Sequence, residues 1–329
     1  MRALALDFQH RSLSVVDFPE PPSPAPGQAL LEIHEIGICG TDRELATFGY
    51  AAPPEGESTL VLGHEALARV VHDAPPFRKG DWVVPMIRRP CSPACASCSA
   101  HRTDLCLTGN YLERGITRAH GYFTRFAVDP VGVLVPVPAA LVDVAVLAEP
   151  LSVVEKAIAT ALRLHPLSPR TATVVGAGPI GLLTAFALQA RGLQPTVVSL
   201  EPEDHPRVLA LRGASIPYLR GRNPALADLV FEASGAASHP EWLAPLGVLL
   251  LIGASEHAVP LDPIRMIVGN LSAAGIINAG PAHFAAAFDD LARIPRPWLD
   301  SLLLRRSFDD WPTSLAGPTP VPKPVHLMN

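Results

Sequence analysis

Residues 171–190 read TATVVGAGPIGLLTAFALQA, and this stretch decides the fold. Thr171–Val175 has β character, Gly176-Ala177-Gly178-Pro179-Ile180-Gly181 follows directly, and an apolar helix is predicted from Leu182 to about Ala190. A G-x-G-x-x-G hexapeptide alone is weak evidence, but with strand and helix flanks it reads as a dinucleotide-binding turn. Its first glycine permits the tight turn, its second lets backbone approach a pyrophosphate, and its third lets the helix pack close on the strand. The helix N-terminus then presents unpaired N–H groups and a positive dipole end to phosphate. Gly176, Gly178, Pro179, Ile180 and Gly181 are the expected cofactor-binding residues.

Working outward, a second strand is predicted over Pro195–Leu200 and leads to Glu201, 20 residues after Gly181. An acidic side chain there accepts hydrogen bonds from a ribose and repels a 2′-phosphate, so NAD is favoured. His205 and Arg207 lie close by and keep NADP as a second candidate. Apolar runs at Asp228–Glu232 and Val248–Ile252 read as buried parallel strands. The segment EPEDHPRVLALRGASIPYLRGRNP, residues 201–224, reaches the next strand early, which predicts a clipped or missing helix or strand. Upstream, short β-type runs such as Ala29–Ile36, Ala66–Val71 and Asp81–Pro85 alternate with turn signals, and a helix is predicted from Leu151 to Arg163. The fold class is therefore α/β. A β-rich domain is expected over 1–155 and a doubly wound parallel-sheet domain over 156–290, with 291–329 returning to the first.

Bulk properties narrow the function. With 26 basic and 31 acidic residues the net charge is −5, which argues against nucleic acid as the main partner. Hydrophobic residues make up 48%, enough for a large core and against a disordered chain. The longest apolar stretch, Val131–Leu151, is broken by Pro136, Pro138, Asp143 and Glu149, so no membrane helix is expected. MRALALDFQH has no apolar core of a secretory signal, and the expectation is a soluble cytoplasmic protein.

Four of the five cysteines fall in the pattern Cys91-x₃-Cys95-x₂-Cys98-x₇-Cys106. Four thiolates on a tight loop suit tetrahedral Zn²⁺ with no open position, which is a structural site. Cys39-Gly40-Thr41-Asp42 and Gly63-His64-Glu65 supply a thiolate, an imidazole and a carboxylate, all zinc ligand types.

Taken together, the chain resembles the zinc-dependent medium-chain dehydrogenase/reductases, and within them the glucose (aldose) 1-dehydrogenase branch. The resemblance rests on GICGTDREL at 37–45, LGHEA at 62–66, RRPCSPACASC at 88–98 and CLTGNYLERGI at 106–116. HGYFTRF at 120–126, AEPLSVVEKAI at 148–158, VVGAGPIGLL at 174–183 and INAGPAHFAAAF at 277–288 extend it. It implies a GroES-like catalytic domain, a Rossmann-type nucleotide domain, and a catalytic zinc held by Cys39, His64 and Glu65 with Glu149 as a further ligand. It also implies that Thr41 takes the substrate proton, that Glu113, Glu149, Glu155 and Asn278 contact a polyhydroxylated substrate, and that Asn278 lies beside the nicotinamide. The implied reaction is hydride transfer from an aldose C1 to the cofactor, giving the lactone. A polyol, cyclitol or simple alcohol is the alternative substrate, and a non-catalytic nucleotide-binding protein the alternative class. Relatives of this kind are commonly homodimers or homotetramers built through the nucleotide domain. The sequence departs from the pattern at the x₃ spacing after Cys91, at apolar Ile87, and in the last 35 or so residues, which match no motif.

Overall fold

A computed structural model describes residues 1–236, 239–254, 260–317 and 322–328. The first sheet runs in the order Leu134–Pro136, Trp82–Pro85, Glu65–Val70, Gln28–Gly37, Lys323–Leu327, Leu303–Ser307, with Phe126–Pro130 also paired to Gln28–Gly37. Gln28–Gly37 alternates between half-buried and buried positions until its last three residues, all of which are buried. Its inward Ala29, Leu31 and Ile33 pack with Ala66, Ala68 and Phe123. The chain returns here at its end: Lys323–Leu327 lies antiparallel to Gln28–Gly37, with Val325 opposite Gly37.

The second sheet is wholly parallel, in the order Tyr218–Arg220, Gln194–Ser199, Thr171–Val175, Ala227–Glu232, Leu243–Leu251, Ser272–Gly275. In chain order this is 3-2-1-4-5-6, the doubly wound arrangement whose crevice opens where the order reverses. All six strands are present, so the early arrival at the fourth strand removes no strand. It removes the helix between the third and fourth, and residues 221–226 cross as irregular chain. The third strand has only three residues. Extended chain covers at most about 3.6 Å per residue, so six residues can cross three spacings of about 4.8 Å with no slack left for a helix.

Ala148–Leu164 joins the two halves and begins three residues earlier than predicted, taking in Glu149 and Pro150. A first-turn proline costs no hydrogen bond because the first four N–H groups have no partner within the helix. One apolar cluster runs through Leu67 and Val84 of the first sheet, Val144–Leu151, and Val174, Leu182 and Phe186 of the second half. Val248, Leu249 and Leu250 are fully buried core. By contrast Ile264, Ile267 and Val268 on the helix Pro263–Gly269 are 73%, 75% and 76% exposed, beside the outermost strand Ser272–Gly275. No helix among the described residues is long and apolar enough to cross a membrane.

Glu155 lies on a different face of the Ala148–Leu164 helix from Glu149, because six residues are about one and two-thirds turns. Its carboxylate accepts from Arg191 Nη2 at 2.5 Å, and the same guanidinium holds Asp290. Burial and the neighbouring Asp290 push the Glu155 carboxyl up to about 8, against the pull of Arg191. The folded state thus retains a proton that the unfolded chain releases near its ordinary pKa of 4.5. That contribution is complete below the unfolded pKa and is lost as pH rises toward 8. Glu155→Gln is expected to flatten the fall in thermal stability between pH 5 and 8, read from melting temperature against pH in the two proteins. A parallel fall in both would remove Glu155 as its cause.

Candidate functional site

Cys39 follows the buried end of Gln28–Gly37 and caps the short helix Gly40–Leu45. Its Sγ accepts from Thr41 N at 3.2 Å, and Asp42 Oδ2 accepts from Cys39 N at 2.9 Å. His64 and Glu65 enter from the start of the neighbouring strand, where Glu65 pairs with Gly37. Sγ of Cys39 lies 3.0 Å from His64 Nε2, and ligand atoms of Cys39, His64 and Glu65 all lie within 4.8 Å of one another. His64 Nδ1 faces Asp42 Oδ1 at 3.3 Å, the carboxylate support that metal-binding histidines commonly have. Neither of those two buried atoms has a hydrogen bond elsewhere. A soft thiolate, an imidazole and a carboxylate, with the imidazole backed by a buried acid, fit Zn²⁺.

Glu149 is buried nearby, and its ligand atoms lie outside that three-residue group. Burial, and then the charge of Glu65, push its carboxyl up to about 8. Lys323 was not anticipated. From the returning strand its buried Nζ donates to Glu65 Oε1 at 2.7 Å and Oε2 at 2.5 Å, and to Ile38 O at 3.2 Å. Tyr50, half-exposed and hydrogen-bonded to Thr41, has its phenol pushed up to about 12, chiefly by burial.

Cys91, Cys95, Cys98 and Cys106 bring their sulfurs within 4.8 Å of one another, so the x₃ spacing does not keep Cys91 out of the group. Zinc–sulfur bonds of about 2.3 Å in a tetrahedron put sulfurs about 3.8 Å apart, and Cys91 Sγ lies 3.8 Å from Cys98 Sγ. That separation is far beyond a disulfide bond. Backbone N–H groups of Cys98 and Leu107 bring the Cys95 thiol down to about 6, whereas burial pushes Cys98 up to about 12.

The parallel sheet opens onto a cavity of about 920 Å³, lined by Gly176, Gly178, Glu201, Arg207, Arg222 and Trp242 among others. Gly176 has φ +98°, and a Cβ on Gly181 would stand 1.9 Å from Gly176 O. Both positions therefore demand glycine, whereas a Cβ on Gly178 would meet open space. Gly178 caps the helix Pro179–Ala190, with Pro179 and Ile180 in its first turn. Glu201 accepts from Ser199 Oγ and from Arg207 Nη1 at 2.9 Å. Burial opposes these bonds, yet the carboxyl is held below its ordinary range. Pairing with Arg207 was not anticipated, and it leaves cationic side chains on the wall where Glu201 stands.

Glu113 and Asn278 meet across the two halves: Asn278 Nδ2 donates to Glu113 Oε1 at 2.8 Å. Arg88 donates to the same oxygen from Nε at 2.9 Å and Nη2 at 2.8 Å, and its guanidinium lies over Tyr111. The structure does not bring Glu155 to this group. Its place is the helix junction with Arg191 described above.

A GroES-like sheet, a six-stranded parallel sheet with a glycine turn, a thiolate–imidazole–carboxylate group and a four-cysteine lobe define the class: a zinc-dependent medium-chain dehydrogenase/reductase. Comparison with known proteins agrees. The alcohol dehydrogenase GroES-like domain family matches residues 25–139, and the glucose dehydrogenase C-terminus family matches residues 142–311. Glucose 1-dehydrogenase 2 of Vulcanisaeta moutnovskia is 36% identical over 323 residues, covering 92% of this chain and 88% of its own. Glucose 1-dehydrogenase of Thermoproteus tenax is 38% identical over 299 residues, covering 85% and 84%. The solved structure of Haloferax mediterranei glucose dehydrogenase in complex with NADP, Zn and gluconolactone superposes with a TM-score of 0.92 at 28% identity, covering 100% of this chain and 99% of that one. The chain belongs to the glucose dehydrogenase family.

Asp42→Asn keeps an acceptor for Cys39 N but removes the charge facing His64. It is expected to lower zinc affinity at this group about 10–100-fold, the usual cost of losing such a support. Competition with a chromophoric chelator measures this, and an unchanged affinity would detach Asp42 from the metal.

Proposed function

We propose that this protein is a zinc-dependent dehydrogenase that oxidises an aldose at C1 to the lactone, transferring the hydride to NAD⁺ with NADP⁺ as a second acceptor. The observation that carries the reading is the Cys39–His64–Glu65 group, in a chain that also pairs Glu113 with Asn278 across its two halves and has a cavity lined by Gly176, Gly178 and Glu201. The named activity of the relatives supports the substrate class. When bound, zinc held by Cys39, His64 and a carboxylate from Glu65 or Glu149 supplies Lewis acidity to a substrate hydroxyl. Thr41 takes the hydroxyl proton, and Tyr50 beside it leads toward solvent. Glu113 and Asn278 orient the sugar, since Glu113 still has a second oxygen to offer. Gly176, Gly178, Pro179, Ile180 and Gly181 seat the pyrophosphate, and Glu201 receives the ribose hydroxyls.

Residues 91–106 hold the second, structural zinc, and residues 1–155, 156–290 and 291–329 act as catalytic domain, nucleotide domain and returning segment. A homodimer is the assembly we propose. The open edge at Ser272–Gly275 and the exposed apolar face of Pro263–Gly269 form the surface that a second copy would cover.

Reduction of NAD⁺ and NADP⁺ followed by absorbance across aldoses, polyols and simple alcohols tests the substrate. Turnover confined to alcohols or polyols would overturn the aldose reading. Glu201→Gln is expected to raise the ratio of NADP⁺ to NAD⁺ kcat/KM at least about tenfold, equal to about 1.4 kcal/mol. Metal analysis is expected to find about two zinc ions per chain, falling to one in Cys98→Ser.

A further inference from the structure

The contacts around Asn278 close on themselves. Asp104 sits between Cys98 and Cys106 in the four-cysteine lobe and is 3% exposed. Its carboxylate takes Arg102 Nε at 3.0 Å on Oδ1, and Lys156 Nζ at 3.0 Å on Oδ2. The same Nζ donates to Ile277 O at 2.9 Å. The next residue, Asn278, donates to Glu113, Glu113 is held by Arg88, and Arg88 Nη1 reaches back to Asp104 O at 3.4 Å. Three stretches of the chain, residues 88–113, Lys156 and residues 277–278, therefore form one ring, with every side chain that closes it at least partly buried. The lobe and the loop are also pressed together, because a Cβ on Gly280 would stand 2.8 Å from Asp104 Oδ1.

Asn278 has φ +55°. Asparagine visits that left-handed region more readily than most residues, but the conformation is still uncommon and persists where the surroundings over-determine it. Here the preceding carbonyl is held by Lys156, the side-chain NH₂ by Glu113, and the side-chain oxygen by Ala279 N at 2.9 Å. The ammonium of Lys156 is a compact charge with three donors, which lets it serve the carboxylate and the carbonyl together.

We propose that Asp104 and Lys156 are positioning residues for the substrate, through which the four-cysteine lobe holds Asn278 and Glu113 in place across the domain boundary. The proposal rests on the reading of Asn278 as a substrate contact. It gives the lobe a part in sugar affinity beyond stabilising the fold. Neither residue touches substrate, so their effect must pass through Asn278.

The test uses the zinc-replete full-length protein, with NAD⁺ and D-glucose or the aldose that the panel identifies. Lys156→Met, Asn278→Ala and the double variant are compared for aldose KM, kcat and melting temperature. Lys156→Met is expected to raise aldose KM about tenfold with a smaller change in kcat. In the Asn278→Ala background the same substitution should leave KM within about twofold, a coupling within the range found for residues that share contacts. Should Lys156→Met fail to fold, Gly280→Ala, which wedges the loop away from Asp104, is expected to show the same KM increase and the same coupling. A lowered melting temperature with unchanged KM would reduce the ring to a structural role and overturn the proposal. KM effects that multiply independently would also overturn it. An unchanged KM in Asn278→Ala alone would instead remove the substrate role of Asn278, and the proposal with it.

Discussion

The arrangement of the metal group depends on one buried ammonium. Lys323 is 1% exposed and lies against both oxygens of Glu65. Without it, two buried acidic side chains, Glu65 and Glu149, would share a water-poor site without the ammonium that now lies against both Glu65 oxygens. Burying an ion pair is rarely a net gain for stability, but losing one partner of such a pair is costly because a bare charge remains. The ion pair that supports Glu65 beside the candidate zinc site is therefore made only when the last strand is in its place. That requirement explains why the chain returns to its first sheet. Lys323–Leu327 is both the neighbour of Gln28–Gly37 and the carrier of the counter-charge.

The dinucleotide half shows how far a doubly wound sheet can be reduced. Its third strand keeps three residues, and the crossover that follows has none of the helix that would ordinarily cover that face. Gly221, Arg222 and Asn223 are consequently left at the cavity mouth, while Pro224, Ala225 and Leu226 lie at the opposite end of the strands. The shortening thus changes the cavity wall and leaves the glycine turn at Gly176–Gly181 intact. Glu201 faces Arg207 in that wall, so its charge is already partly answered.

What could be read from the sequence was what is local. The glycine turn, the four-cysteine loop and the Cys39 and His64-Glu65 motifs are short, and their chemistry is carried by spacing alone. The long-range partners were not legible. Asp42 left a trace, since an acid three residues after an N-cap is a capping signal. Arg88 opens a family motif and Arg207 lies near Glu201 in sequence, but nothing in the sequence shows that Arg88 pairs with Glu113 or Arg207 with Glu201. Glu155 was misplaced for a geometric reason: it sits in the same motif as Glu149, but helical periodicity turns it toward Arg191. Strand count in the nucleotide half was uncertain because a three-residue strand has too few positions to show alternation.

One compositional signal could have found two of the missing partners. The chain contains three lysines, Lys79, Lys156 and Lys323, while the other 23 basic residues are arginine. In a chain with that preference, a retained lysine marks a position where a planar, forked guanidinium does not serve. Two of the three are buried, Lys156 at 8% and Lys323 at 1% exposure, and each divides one ammonium between a carboxylate and a backbone carbonyl. Lys323 spans Glu65 and Ile38, and Lys156 spans Asp104 and Ile277. Both join segments that are distant in the sequence. The rare lysines thus do for tertiary assembly what the cysteines do for the local loop: a compact charge with three donors serves acceptors from separate segments at once.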